Sequence, residues 1–152
     1  MIIDWDTYFM SVALLSSLRS KDPVTQVGCC IVDSENNHIV GCGYNGMINC
    51  RNNDSIFSWN KSDDPSENKQ SYVIHAEANG ILNSNYRLKG CKIYTTLFPC
   101  NECCKLIIQS GIKEVIYLKE KNKPLYDISK NMMDICGIVH RKMENFSFPK
   151  FE

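Results

Sequence analysis

The second half of the chain alternates helical and extended segments in a way that constrains the fold. HAEANGILNS (75–84) reads as a helix, CKIYTTL (91–97) as a strand, CNECCKLIIQSG (100–111) as a helix closed by Gly111, and KEVIYL (113–118) as a strand. After the lysine-rich turn EKNKP, DISKNMMDICG (127–137) gives a third helix with Asp127 as its cap, and IVHRKM (138–143) a last strand. Strands separated by helices need crossover connections, so this half predicts parallel pairing with helices covering the sheet. The first half adds a different element. WDTYFMSVALLSSL (5–18) places Tyr8, Val12 and Leu15 at helical spacing, with Phe9 and Leu18 nearby and Asp4 or Asp6 as a cap. VGCCIVD (27–33) and HIVGCGY (38–44), joined by the turn-rich SENN, read as an antiparallel hairpin. The expected architecture is an α/β, three-layer α/β/α domain around a five-stranded mixed sheet, one domain over residues 1–152. Residues 45–74, rich in Asn, Asp and Ser and with little periodicity, read as a functional flap, with disorder as the alternative.

Charge and cysteine usage narrow the partners. Seventeen basic and seventeen acidic residues balance, and there is no basic groove studded with aromatics, which argues against a long nucleic-acid footprint. A small anionic ligand needs only a local basic pocket. The N-terminus carries acids where a signal peptide carries lysines, and no apolar run approaches the roughly 20 residues that span a bilayer, so no membrane role is expected. Nine cysteines is an odd count, which fits free or metal-bound thiols in a reducing, cytoplasmic setting better than a disulfide framework.

Three of those thiols crowd behind a proline in TTLFPCNECCKLI (95–107). A redox pair, half of a zinc site, and thiols buried for their size are the competing explanations. A catalytic zinc takes three protein ligands and keeps a fourth position open. Cys100 and Cys103 supply two, and of the three histidines His75 opens a helix, while His38 and His140 lie in predicted strands. Two helix starts with a strand between them would then face one metal, and their positive ends favour thiolate at Cys100 and Cys103. Pro99 suits the first turn because it lacks a donor that would have no helical partner. Cys104 points about a hundred degrees away round the helix and cannot easily serve the same ion. Cys104, Cys29, Cys30, Cys42, Cys91 and Cys136 are expected as small buried hydrophobes. Glu77 stands two residues after His75, where a carboxylate can take a proton from zinc-activated water and return it to a leaving nitrogen. The pattern H-x-E with P-C-x-x-C points to hydrolytic removal of an amino group from a base.

The same residues resemble the deoxycytidylate (dCMP) deaminases of the cytidine deaminase superfamily. The resemblance runs through YFMSVALLSSLRSKDPVTQVGCCIVDSENN (8–37), GYNGMINC (43–50), HAEANGILN (75–83) and GCKIYTTLFPCNECCKLIIQSGIKEVIY (90–117). H-A-E and P-C-x-x-C are shared by every branch of the superfamily; RSKDP, QVG, GYNG and FPCNECCKLIIQSGIKEVI are more specific. The resemblance implies a cytidine deaminase-like fold, usually hexameric, that hydrolyses dCMP to dUMP and ammonia for thymidylate synthesis. It implies zinc on His75, Cys100 and Cys103, with Glu77 protonating N3 of cytosine and passing the proton to the departing ammonia. Asn45 of GYNG would bond the 3′-hydroxyl, with a plain turn asparagine as the alternative, and the backbone of Ala76 would hold the pyrimidine carbonyl. Arg19, Ser20 and Lys21 would meet the phosphate, since Arg suits bidentate and Lys point contact, with Lys121, Lys123 and Tyr126 as alternatives.

Two departures from the family pattern stand out. After GYNG the chain reads GMINCRNNDS: Ile48 replaces a proline, a glycine is missing, and Arg51, Asn52 and Asn53 replace small or acidic residues in the region tied to dCTP and dTTP effectors. Gly80 interrupts the HAEANGIL helix where alanine is usual, at about 1 kcal/mol of helix preference. Rival readings are a dCTP or dual dCMP/dCTP deaminase, a deaminase of a base in RNA or DNA, and a non-catalytic zinc nucleotide-binding module. Glu77 separates the last, since a structural zinc has no need of it.

Overall fold

The computed structural model describes residues 1–151. In chain order its elements are α1 (Trp5–Ser17), β1 (Gly28–Asp33), β2 (His38–Tyr44), β3 (Gly46–Met47), α2 (Asn53–Ile56), 3-10 turns at Pro65–Glu67 and Lys69–Ser71, and β4 (Val73–Ile74). Then follow α3 (Ala76–Asn83), β5 (Lys92–Leu97), α4 (Asn101–Ser110), β6 (Glu114–Lys119), α5 (Pro124–Ile135) and β7 (Val139–Lys142). Five strands form one sheet in the order β2-β1-β5-β6-β7. The hairpin β1–β2 and the pair β1–β5 are antiparallel, whereas β5–β6 and β6–β7 are parallel, which is the mixed sheet expected from the sequence.

Alternation along the strands divides the core in two. Cys29, Ile31, Ile93 and Val115 face α3, α4 and α5, where Cys104, Ile107 and Met133 complete the layer. Cys30, Val32, Tyr94 and Ile116 face α1 through Phe9, Met10 and Ala13. The buried side of α1 differs from the expected stripe: Phe9, Met10, Ala13 and Ser17 are inside, while Tyr8, Leu15 and Leu18 are exposed. Nearly every side of this helix is apolar, so periodicity alone could not select a face. Close approach does: a Cβ on Gly28 would stand 2.1 Å from the Ala13 carbonyl, so the small residues of α1 sit directly on β1.

Gly80 has a packing reason of the same kind. A Cβ there would lie 2.5 Å from Cys29 Sγ, and that thiol donates to the Ala76 carbonyl at 3.2 Å. The helix glycine therefore lets α3 lie against a strand that carries cysteine. The expected cap of α5 also moves: the helix starts at Pro124, with Asp127 inside its first turn, because proline fits the first helical position and the preceding lysines form the turn. Gly111 ends α4 with φ 82°, as expected. Cys42 is only partly buried and Cys136 is exposed, contrary to the small-hydrophobe expectation.

Residues 48–72 hold little regular structure yet are tied down locally. Asn68 Nδ2 donates to the Ser62 carbonyl at 2.6 Å, Ser71 Oγ to the Pro65 carbonyl at 2.6 Å, and Phe57 packs on Tyr72 with ring centroids 4.6 Å apart. The short β3–β4 pair fastens both ends of the segment beside the start of α3.

Candidate active site

His75 and Cys100 are the residues immediately before α3 and α4, in extended backbone, and neither side chain caps its own helix. Both are therefore free to turn into the crevice at the carboxyl end of β5. Cys103 lies one turn into α4. His75 Nδ1 is 3.4 Å from Cys100 Sγ and 3.4 Å from Cys103 Sγ, and the three donor atoms lie within 4.8 Å of one another. With Zn–S near 2.3 Å and Zn–N near 2.0–2.1 Å, a tetrahedral ion spaces such donors by about 3.5 Å. Both His75 distances match this spacing, and the three side chains form a group that can hold zinc. Cys104 stays out of it, buried with its Sγ 3.5 Å from the Ser129 carbonyl.

Electrostatics prepare the thiols. A bond from the Cys103 thiol, helped by His75, brings Cys100 down to about 4 in spite of its burial. Cys103 is pushed up in return by the proton it shares with Cys100 and by burial. The bond to Cys100 raises His75, against the burial that opposes its charge.

Glu77 is buried in the first turn of α3. Burial raises its carboxyl above the ordinary 4.5. Its side-chain partner is Thr95, whose Oγ1 stands 3.0 Å from Glu77 Oε1 and 2.9 Å from the Leu97 carbonyl. Sequence reading missed Thr95, since a threonine in a strand carries no chemical signal; its only trace was strand alternation, which turns it toward α3.

A cavity of about 120 Å³ opens beside these donors. Ala76, Glu77, Asn45, Phe98 and Tyr126 line it, and Lys61, Lys69 and Lys121 bring positive charge to its wall. Burial lowers Lys121, and the charges of Lys123, Lys61 and Lys69 lower it further, as expected of cations gathered without enough anions. Asn45 is buried and engaged: Oδ1 accepts from the Val27 amide at 2.9 Å, and Nδ2 donates to the Thr25 carbonyl at 2.9 Å. It pins the end of the hairpin while forming part of the cavity wall.

The wall also holds an ion pair that sequence reading missed. Lys69 Nζ meets the two Asp22 oxygens at 3.0 and 2.8 Å, with both side chains 5% exposed. Burial alone would raise Asp22; the bonds from Lys69 and from the amides of Val24 and Thr25 outweigh it and hold the carboxyl below its ordinary 3.8. The available clue was Asp22 before Pro23, a turn-forming dipeptide, but nothing local named its partner.

The structure does not bring Arg19, Ser20 and Lys21 to this cavity. Ser20 is buried, its Oγ accepting from the Asp22 amide at 3.2 Å. Arg19 and Lys21 line a neighbouring depression with Tyr44, Gly46 and Trp59, which shares Asn45 with the cavity and where Lys21 pairs with Asp54. Asp22, next in the chain, lines the zinc cavity instead. Of the alternatives, Lys121 and Tyr126 line the cavity and Lys123 does not.

Comparison with known proteins agrees with this geometry. Residues 3–119 match the family model for the cytidine and deoxycytidylate deaminase zinc-binding region. The chain is 55% identical over 150 residues to a probable deoxycytidylate deaminase of Drosophila melanogaster, covering 92% of this chain and 72% of the relative. It is 48% identical over 145 residues to the deoxycytidylate deaminase of Homo sapiens, covering 92% and 80%. Among solved structures it is similar to the dCMP deaminase from cyanophage S-TIM5 in complex with dCMP and dUMP, with a TM-score of 0.75, 27% identity, and coverage of 94% and 99%. With a three-donor group suited to zinc at two helix starts and this extent of likeness, the chain belongs to the cytidine and deoxycytidylate deaminase family.

Proposed function

We propose that this chain, as one domain, hydrolyses dCMP to dUMP and ammonia. The observation that carries the reading is the buried Glu77 carboxylate beside the His75, Cys100 and Cys103 group. His75, Cys100 and Cys103 would hold zinc, which would supply Lewis-acid activation of a water. Glu77 takes the proton of that water, delivers it to N3 of cytosine, and carries a proton to the departing amino nitrogen. The Ala76 amide, in the first turn of α3 where amides lack helical partners, holds the pyrimidine carbonyl. The second lone pair of Asn45 Oδ1 receives the 3′-hydroxyl.

The phosphate belongs on Lys121 and Lys61 in this reading, because they line the cavity and Lys69 is already paired. Arg19 and Lys21 are then left for the phosphates of a dCTP or dTTP effector in their own depression, next to Gly46 of the GYNG turn. The exposed Trp5, Tyr8, Leu15 and Leu18 of α1 and its flank support a homo-oligomer, for which the resemblance suggests a hexamer. No helix among the described residues is long and apolar enough to cross a membrane, and nine free thiols fit a cytoplasmic enzyme feeding thymidylate synthesis.

The test is ammonia release by the zinc-loaded protein from dCMP, dCTP, deoxycytidine and CMP, with and without dCTP or dTTP as effector. Preference for dCMP is expected. Equal rates on dCTP would replace the reading with a dual-substrate enzyme, and silence on all four substrates with zinc bound would replace it with a nucleotide-binding module.

A further inference from the structure

Away from the zinc cavity, two thiols face each other across the hairpin. Cys30 on β1 is in direct register with Cys42 on β2. Directly opposed residues of an antiparallel pair have Cα atoms about 4.5–5.5 Å apart, inside the roughly 4.4–6.8 Å that a disulfide spans. The two differ in surroundings. Cys30 is fully buried under α1 among Phe9, Met10 and Tyr94, while Cys42 is partly exposed on β2, the edge strand of the sheet. Interaction with the facing Cys30 thiol brings Cys42 down to about 7, with a smaller contribution from Ser16 and against its burial. The proton is thereby kept on the buried sulfur, Cys30 being raised.

We infer that Cys42 and Cys30 form an oxidisable dithiol, in which Cys42 is the thiol attacked by a hydroperoxide and Cys30 the resolving thiol that closes a cross-strand disulfide. The Cys42 thiolate attacks the peroxide, breaking the O–O bond to give Cys42 sulfenic acid and an alcohol, or water when the peroxide is H2O2. The Cys30 thiol then displaces the sulfenic oxygen, forming the S–S bond and releasing one water. Two thiols lose two electrons and two protons, and the peroxide takes up both. Cys42 meets the conditions for the first step, being the accessible and more acidic member; Cys30, shielded and a direct neighbour, meets those for the second. The bond would join the strands close to Val27 and Asn45, whose mutual hydrogen bonds end the hairpin at the cavity.

The zinc-loaded protein is titrated with hydrogen peroxide, and its peptides are mapped by mass spectrometry without reduction. The expected result is a linkage of the Cys30 and Cys42 peptides, loss of two thiols per chain, unchanged zinc content, and reversal by dithiothreitol. Cys42 should react about tenfold faster than the exposed Cys50 and Cys136. Cys42→Ser should abolish the linkage, and Cys30→Ala should leave a sulfenic acid on Cys42 that dimedone captures. The inference is overturned if Cys50 or Cys136 is consumed while Cys30 and Cys42 stay reduced, or if zinc leaves with the first two thiols lost. The mapping on the unaltered protein decides this even where a variant folds poorly.

Discussion

The two ends of the cavity are built by different means. At the metal end, His75, Glu77, Cys100 and Cys103 occupy the starts of two helices that pack against the same sheet, so a few residues at each start suffice to aim the donors. At the cationic end, Lys61 and Lys69 come from an irregular segment, Lys121 follows β6, and Asp22 follows α1. In the proposed reading, chemistry at the base falls to the rigid frame, whereas contacts to the rest of a nucleotide fall to loops held by scattered hydrogen bonds. Changes at the first end should abolish turnover or metal binding; changes at the second should alter stability and substrate preference.

The largest effects belong to the metal end. Glu77→Gln should retain zinc and dCMP binding while kcat falls by about 10²- to 10⁴-fold, the range for a lost general acid–base. Normal turnover would remove Glu77 from the proton path. Cys103→Ala should lose the metal and with it activity, whereas the adjacent Cys104→Ala should keep one zinc per chain. Zinc content measured on purified variants distinguishes them, and loss of zinc from the Cys104 variant would show the wrong thiol had been chosen.

The contrast also explains what could be read before the structure. His75, Cys100 and Cys103 were readable because each motif is short and each helix start has a local signature, and the mixed sheet followed from alternating patterns. Asp22 and Lys69 lie 47 residues apart, and no local pattern joins them. Charge singles out Arg19 and Lys21 as phosphate candidates, but charge alone does not say which of two neighbouring depressions a residue lines. The buried face of α1 was hidden for another reason: its apolar residues surround the helix, and the contact between Gly28 and Ala13 selects the side.

Asp22 and Lys69 give the next effect in size. Removing one member of a buried pair leaves the other charge uncompensated, so Asp22→Asn or Lys69→Met should each cost about 3–5 kcal/mol in urea unfolding. The double variant should recover part of the loss. The pH dependence follows from the lowered Asp22 carboxyl: its contribution is complete above the ordinary 3.8 and is lost as pH falls through the lower folded value. Asp22→Asn should therefore flatten the acid limb of the stability profile. A change of under about 1 kcal/mol in both single variants would mean that the cavity wall does not depend on this pair.

Lys121 tests substrate reading at the same end. Charge-assisted bonds to a phosphate are worth about 1.5–3 kcal/mol, so Lys121→Ala should reduce kcat/KM for dCMP by roughly 10- to 100-fold while leaving deoxycytidine nearly unchanged. Lys21→Ala, outside the cavity, should leave basal dCMP turnover within about twofold, a bound on the same scale as a weak exposed pair. Equal losses for dCMP and deoxycytidine in the Lys121 variant would move the phosphate elsewhere.

Thr95 should give the smallest effect and the finest distinction, because it belongs to the frame yet touches Glu77, the proposed proton carrier. One hydroxyl has one hydrogen, and two acceptors lie within reach: Glu77 Oε1 at 3.0 Å and the Leu97 carbonyl at 2.9 Å. When Glu77 is ionised, the hydroxyl donates to it. When Glu77 holds the proton, Thr95 can turn its hydrogen to Leu97 and accept from the acid. Thr95→Val keeps the shape but removes both options, so kcat should fall by about 2- to 10-fold, the equivalent of one ordinary hydrogen bond, with KM and zinc content unchanged. Thr95→Ser should restore kcat. If Val and Ser lower activity equally, Thr95 matters through packing alone; if neither does, Glu77 is held in place by the helix start and burial without help from the strand.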